Sequence, residues 1–341
     1  MIMEHVTVLG AGAWGTTLAW MLARQGHPVR LWCLEEDLAE EMRQVRHNRR
    51  YRPEIELPSN LEIFTDLGEA LSREGSPGGA DVVVAAVPSR WLRQVLQQAQ
   101  PHLQTRPFLL SATKGLEEKT GQRISQVIAD VLGEDYPLAA LSGPHLSAEI
   151  AREMPAVSVS AATDPELAAL GQRLLSSPLF RVYRNYDIIG VELCGALKNV
   201  IAVGAGISDG LDYGANAKAA LITRGLAEMC RLGTRLGARA ETFWGVAGVG
   251  DLVATANSRE SRNWNLGYQL ARGRTWEEVR ESSYSVVEGV YTAVAARRLG
   301  RELNLALPIT EALCQILFEG VPVAQAVRAL MTRPERAEAE E

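Results

Sequence analysis

Cysteine is scarce in this chain of 341 residues: Cys33, Cys194, Cys230 and Cys314 are scattered, without CxxC spacing, and lie mostly in apolar segments. That excludes a disulfide framework and reads as small buried hydrophobes in a reducing compartment. The five histidines, His5, His27, His47, His102 and His145, form no HExxH or other metal-ligand pairing, so no structural or catalytic metal is expected. Basic residues number 35 against 41 acids, a net charge of -6, and they gather into no basic run, so nothing favours nucleic acid as a partner. No uncharged run approaches the roughly 18 residues of a membrane span. A strand begins within a few residues of Met1, which leaves no room for a signal peptide. The expectation is a cytoplasmic protein with no membrane insertion. At 47% apolar and 22% charged residues the chain is ordinary globular material, long enough for two domains.

What is present begins with His5 to Leu9, a buried strand that runs into Gly10-Ala11-Gly12-Ala13-Trp14-Gly15, a helix from Thr16 to Gln25 and a second strand from Pro28 to Trp32. Strand, GxGxxG, helix, strand is the context a dinucleotide fingerprint requires. Gly10 permits the tight turn, Gly12 lets backbone touch a pyrophosphate, and Gly15 lets helix and strand pack, with the helix N-terminus facing the phosphates. Without a ligand the same residues are a glycine-rich packing turn. The second strand ends at Cys33-Leu34-Glu35-Glu36, two acids and no base, which leans towards NADH over NADPH; the same acids also suit the start of a helix from Asp37 to Val45.

The basic stretch Asn48-Arg49-Arg50-Tyr51-Arg52-Pro53 reads as a solvated loop, and Gly75 to Gly79 as a surface turn. Asp81 to Val87 is a continuous apolar strand of the kind buried on both faces of a parallel sheet. Further strands at Leu61 to Thr65, Phe108 to Ala112 and Leu138 to Leu141 place Lys114 and Gly143 at carboxyl ends, on the sheet edge where the glycine turn lies. Taken alone Lys114 is a solvated loop lysine; on that edge it becomes a ligand contact. Strands at Ala156 to Ser160 and Phe180 to Tyr183 close the α/β portion. From Asp187 the signals are helical, starting with Ile188 to Ala205, Ala217 to Leu236 and Ser261 to Arg272. The domains read as 1–186, a dinucleotide-binding Rossmann-like domain with a mostly parallel sheet, 187–332, all-helical, and 333–341, a charged tail expected to be disordered.

In the helical part, Val191, Gly195, Lys198 and Ala202 share one stripe of a helix that is apolar almost all round. An ammonium there is costly unless an anion or hydrogen-bond partner meets it, which marks Lys198 as a working residue; the bland alternative is a lysine snorkelling from a helix edge. Asp251, in the glycine-rich run Gly245 to Thr255, is its candidate partner, or else the cap of a helix beginning at Leu252. Ser261-Arg262-Asn263 offers a hydroxyl cap, a guanidinium and an amide beside free backbone N–H groups, either an anion site or an ordinary capped helix start. Glu288, in Val286-Val287-Glu288-Gly289, reads on its own as a cap.

The motifs GAGAWGTTLA, NRRYRPEIELP, ATKGLE, SGP, ELCGALKNVIAVGAGISDGL, NAKAALITRGLAEM, GVGDLVAT, SRN and VVEGVYT follow one another over about residues 5 to 330. In this order they resemble the bacterial NAD(P)-dependent sn-glycerol-3-phosphate dehydrogenases. The resemblance implies reversible hydride transfer between NAD(P)H and dihydroxyacetone phosphate, giving glycerol 3-phosphate for glycerophospholipid synthesis. It implies Lys198 as proton donor and acceptor, with Lys114, Gly143, His145, Asn199, Asp251, Ser261, Arg262 and Asn263 around the substrate. It further implies cofactor contacts from Ala13, Trp14, Lys114, Ser147, Arg262, Val286 and Glu288, and a homodimer. Three positions depart from the family pattern: Ala13 where serine is common, Leu34 where arginine or histidine often meets a 2'-phosphate, and His145 in place of a small polar residue. The rival readings are another two-domain dehydrogenase, acting on a hydroxyacyl thioester or a sugar acid, and a non-catalytic NADH sensor.

Overall fold

The computed structural model describes residues 3–72, 79–282, 286–335 and 337–338. The turn expected at Gly75 to Gly79 therefore lies outside the described residues apart from Gly79, and so do 336 and 339–341 of the expected tail. The chain folds into two compact units, Met1–Thr113 with Ile124–Ile188, and Lys114–Arg123 with Ile189–Glu341. The excursion Lys114–Arg123 belongs to the second unit, although a single boundary at 186/187 would leave it in the first.

The first unit is built on an eight-stranded sheet. Its strands lie in the order Phe180–Asn185, Ala156–Ala161, Leu138–Ser142, Phe108–Ser111, Val82–Ala85, Val6–Leu9, Val29–Trp32 and Leu61–Phe64. Six neighbouring strands run parallel, and Ala156–Ala161 pairs antiparallel with Leu138–Ser142, so the last two strands are reversed. Alternation explains the unbroken apolar runs. Val82 and Val84 face one core with Val6, Val8 and Leu31, while Val83 and Ala85 face the other with Leu9 and Trp32. Helices Ala13–Arg24, Glu36–Val45 and Pro165–Leu175 cover the first face, and Ser89–Ala99 and Ile124–Leu132 the second.

The second unit is mostly helical from Ile189 on, and its centre is helix Ile188–Gly210, buried along almost its whole length. Over 18 residues its mean hydropathy is 1.6, enough by composition to cross a membrane, yet 83% of that window is packed inside the protein. The helix runs past Ala205, where the sequence reading ends it, because Gly206 and Gly210 are contact residues. A Cβ on Gly206 would fall 1.9 Å from the Trp264 carbonyl oxygen, and one on Gly267 would fall 1.9 Å from that of Val203. The backbones of Ile188–Gly210 and Arg262–Ala271 therefore touch at this crossing, with Trp264 Nε1 donating to Asp209 at 2.7 Å. Gly267→Ala should cost about 3 kcal/mol, the upper end of over-packing penalties, even though alanine is the better helix former. A urea titration checks this; an unchanged midpoint would mean that the crossing relaxes freely.

Candidate active site

In the first unit the glycine turn has the geometry that the spacing predicts. Gly10 sits at φ +108°, in the left-handed region, and a Cβ on Gly15 would lie 1.9 Å from the Gly10 carbonyl oxygen. Gly12 is the N-cap of helix Ala13–Arg24, offers no side-chain cap, and has open space where a Cβ would be. No acidic residue stands in the first turn of that helix, so its positive end is left for an anion. The Trp14 indole stacks on His145, with centroids 4.6 Å apart and planes at 22°, and its buried Nε1 has no hydrogen-bond partner among the described residues. An unpaired buried donor beside an open glycine at a helix N-terminus fits a dinucleotide pyrophosphate.

The basic stretch from Asn48 to Pro53 departs from the solvated loop that its composition suggests. It is not simply a solvated loop: His47–Asn48 pairs with Arg52–Glu56 in a small hairpin, and Asn48 is fully buried. Its amide donates to the Ala11 carbonyl and to Thr16 Oγ1, both at 2.8 Å, which pins the glycine turn from behind. Arg52 donates to Ser147 Oγ at 2.8 Å. Gly143 sits at φ +143°, where a Cβ would press on Val157 and Ser158, and His145 Nε2 lies 2.8 Å from Ser158 Oγ. Leu34 is 74% exposed beyond its strand, and Glu35 is the N-cap of Glu36–Val45. Arg50 is engaged with Asp37 at 2.7 Å.

In the second unit three charges meet. Lys198 Nζ lies 2.8 Å from Asp251 Oδ1, and Lys114 Nζ lies 2.7 Å from Oδ2, so one carboxylate is held by two ammonium groups. Asp251 is not merely a cap. It opens helix Asp251–Asn257, directly after a π-helical turn at Val246–Gly250, and its carboxylate points into the protein at 1% exposure. Thr255, one turn later on the same face, accepts from Lys198 at 2.6 Å and donates to Asp251 at 3.1 Å. Composition gives Thr255 no prominence; its i,i+4 spacing from Asp251 is the signal that marks it.

Two cations and one anion leave this buried cluster with a net charge of +1, a disposition that attracts an anionic or electron-rich ligand. Burial alone would raise the Asp251 carboxyl, but the fields of Lys114 and Lys198 and the hydrogen bonds from both outweigh it and hold it below the ordinary value. Lys114 goes the other way. Desolvation pushes its amine down to about 8, with Lys198 adding to the shift and Asp251 opposing it, although 15% of its side chain still reaches solvent.

Around this cluster, Asn263 Nδ2 donates to Asn199 Oδ1 at 2.8 Å, and Asn263 Oδ1 accepts from the Gly289 amide at 2.9 Å. A Cβ on Gly289 would come within 2.7 Å of the Asn199 carbonyl oxygen. Ser261 caps helix Arg262–Ala271 by accepting from the Trp264 amide, and Arg262 opens that helix, exposed. Glu288, the first residue of Glu288–Glu302, is half-buried, as is Val286. Among the described residues no group of three or more His, Cys, Asp or Glu side chains is arranged to hold a metal ion.

Models of the N- and C-terminal parts of NAD-dependent glycerol-3-phosphate dehydrogenase match residues 5–168 and 187–328. The chain belongs to this family. A glycerol-3-phosphate dehydrogenase [NAD(P)+] of Geobacter sulfurreducens is 48% identical over 337 residues, 98% of this chain and 99% of its own. The enzyme of the same name from Syntrophotalea carbinolica is 46% identical over 336 residues, with the same coverage. The crystal structure of a Coxiella burnetii glycerol-3-phosphate dehydrogenase superposes with a TM-score of 0.92 at 38% identity, covering 97% of this chain and 99% of that one. The chain is thus an NAD(P)-dependent glycerol-3-phosphate dehydrogenase by family, and NAD(P)H is its cofactor. The mostly parallel sheet with a helical C-terminal unit is the fold of this family.

Proposed function

We propose that Lys198 gives the proton to the C2 oxygen of dihydroxyacetone phosphate as sn-glycerol 3-phosphate forms, and takes it back in the reverse direction. The observation that carries this reading is the pair of ammonium groups on the two oxygens of Asp251. Asp251 and Thr255 take two of the three N–H bonds of Lys198, which fixes the direction of the third towards a substrate oxygen. Lys114, with its lowered affinity for a proton, adds positive charge where the alkoxide develops. When bound, the nicotinamide supplies the hydride. Ala13 and Trp14 at the glycine turn and Ser147 belong to the holding of that cofactor, with Arg262, Val286 and Glu288 assigned to it by family resemblance.

Arg262, with Ser261 and Asn263 at the start of the same helix, takes the substrate phosphate through its guanidinium and the helix-start amides. Gly143 and His145 form the substrate loop, and Asn199 orients Asn263. The lean to NADH rests on Leu34 and Glu35 at the end of the second strand, and on the engagement of Arg50, the basic side chain that lies near Glu35, with Asp37. A homodimer, and a role in supplying glycerol 3-phosphate for glycerophospholipids, complete the proposal.

One assay tests it: consumption of NADH and of NADPH, each with dihydroxyacetone phosphate. Fast turnover that favours NADH is expected. Turnover with hydroxyacyl or sugar-acid substrates alone would point to a different dehydrogenase, and tight NADH binding without turnover to a sensor.

The pH dependence follows from Lys114. Below about 8 its amine is charged and stabilises the alkoxide; above that it loses the proton, so kcat/KM for carbonyl reduction should fall as pH rises through about 8. Lys114→Arg keeps the charge throughout and should remove that limb from the profile, whatever it does to the absolute rate. An identical limb in wild type and variant would reject Lys114 as its source.

A further inference from the structure

Lys114 does not reach Asp251 from a helix of the second unit. It arrives on a ten-residue excursion, Lys114–Arg123, flanked in sequence by Thr113 and Ile124 of the first unit. A side chain delivered by such a loop needs its backbone held, because a displacement of 1 Å at a reacting group costs on the order of 100-fold in rate. The excursion is tied within itself. Leu116 bridges Arg123, the Glu117 amide donates to the Gln122 carbonyl at 2.9 Å, Thr120 Oγ1 donates to Glu117 Oε2 at 2.6 Å, and Gly121 turns the chain at φ +72°.

Besides Lys114 on Asp251, contacts with two more helices hold it. Arg298, on Glu288–Glu302, donates to the Lys119 carbonyl at 2.5 Å. At the far end, Arg123 Nη1 lies 2.6 Å from Glu192 Oε2, with side-chain exposures of 14% and 4%. Glu192 stands on helix Ile188–Gly210, the helix that carries Lys198, six residues before it and about 9 Å along the axis. A buried ion pair is weak evidence for stability, because desolvation offsets its attraction; its best-attested use is to fix one arrangement among several.

The geometry points to the Arg123–Glu192 pair as the positioning device for Lys114. It clamps the excursion to the helix that bears Lys198, so that both ammonium groups keep their places on the two oxygens of Asp251. It is not a catalytic residue pair: it acts through the backbone that presents Lys114. This inference rests on the role proposed above for Lys114.

The test is a pH profile of kcat/KM for dihydroxyacetone phosphate on the full chain, run for wild type, Glu192→Gln and Arg123→Lys, with NADH affinity followed by fluorescence. Glu192→Gln should lower kcat/KM by tens of fold and move the alkaline limb upward from about 8, since a loosened excursion admits water to Lys114. NADH affinity should stay within about twofold, and Arg123→Lys, which keeps the opposite charges, should retain more of the rate than Glu192→Gln does. A Glu192→Gln enzyme with wild-type kcat/KM and an unmoved limb would overturn the inference, even if its melting temperature dropped, because the pair would then be merely structural. If that variant does not fold, Glu192→Asp, one methylene shorter, is read in the same way. A wild type without turnover on dihydroxyacetone phosphate would instead sink the functional reading beneath it.

Discussion

Asp251→Ala should be among the most damaging single changes in the molecule. It deletes the anion between two largely buried ammonium groups, and removing one member of a buried ion pair costs about 3–5 kcal/mol. A urea titration should show a loss of that size, and turnover should fall with it, because neither lysine would keep its direction. The pH dependence carries its own sign. In the wild type the depressed carboxyl of Asp251 contributes stability that is complete above the ordinary carboxylate range and is lost as pH falls through its lower folded value. In the variant, Lys114 loses the attraction that opposes its desolvation, so its folded pKa moves below about 8 while the unfolded lysine stays near 10.5. The unfolded chain then binds more protons between those values, and the stability of the variant should recover as pH rises through that interval. A variant whose deficit is the same at every pH would show that the two ammonium groups do not bear on one another as the distances indicate.

Lys198→Ala should separate chemistry from binding. Asp251 keeps Lys114 and Thr255 as partners, so the fold survives, whereas the proposed proton donor is gone. General acid catalysis contributes about 10²–10⁴-fold, so kcat should fall by that order. NADH affinity should be unaltered, since Lys198 is not among the residues proposed to hold the cofactor and the glycine turn belongs to the first unit. A fall in affinity for dihydroxyacetone phosphate with kcat preserved would assign Lys198 to binding alone.

The difference between what the sequence shows and what it hides is one of range. The glycine turn is legible because each requirement is local: φ at Gly10, close packing at Gly15 and open space at Gly12 are all properties of a few consecutive residues. The buried stripe carrying Lys198 is legible for the same reason. Its partner is only a candidate, because Lys198 and Asp251 are 53 residues apart and Lys114 and Asp251 are 137 apart, and no periodicity spans such distances. That Asp251 serves both lysines, with Thr255 completing the set, is decided by packing.

The same holds for Asn48. Its neighbours Arg49, Arg50 and Arg52 give the stretch the composition of a solvated loop, while Asn48 itself is drawn under the glycine turn by two amide hydrogen bonds. Composition averages over a segment, and one inward residue disappears in the average. Helix length fails at Gly206 and Gly210 for the opposite reason: glycine is a helix breaker by propensity, and here it is what lets two helices meet. The order of the sheet beyond Leu138–Ser142, with two strands reversed, leaves no local mark at all.

In the proposed mechanism the amine of Lys198 takes part in the chemical step, oriented by the Asp251 carboxylate. The most direct measurement is a single-turnover experiment on Lys198→Ala, with enzyme in excess over NADH and saturating dihydroxyacetone phosphate, following the loss of reduced-nicotinamide absorbance. The first turnover should be on the order of 10² to 10⁴ times slower than in the wild type. A first turnover at the wild-type rate would rule out a part for Lys198 in the chemical step.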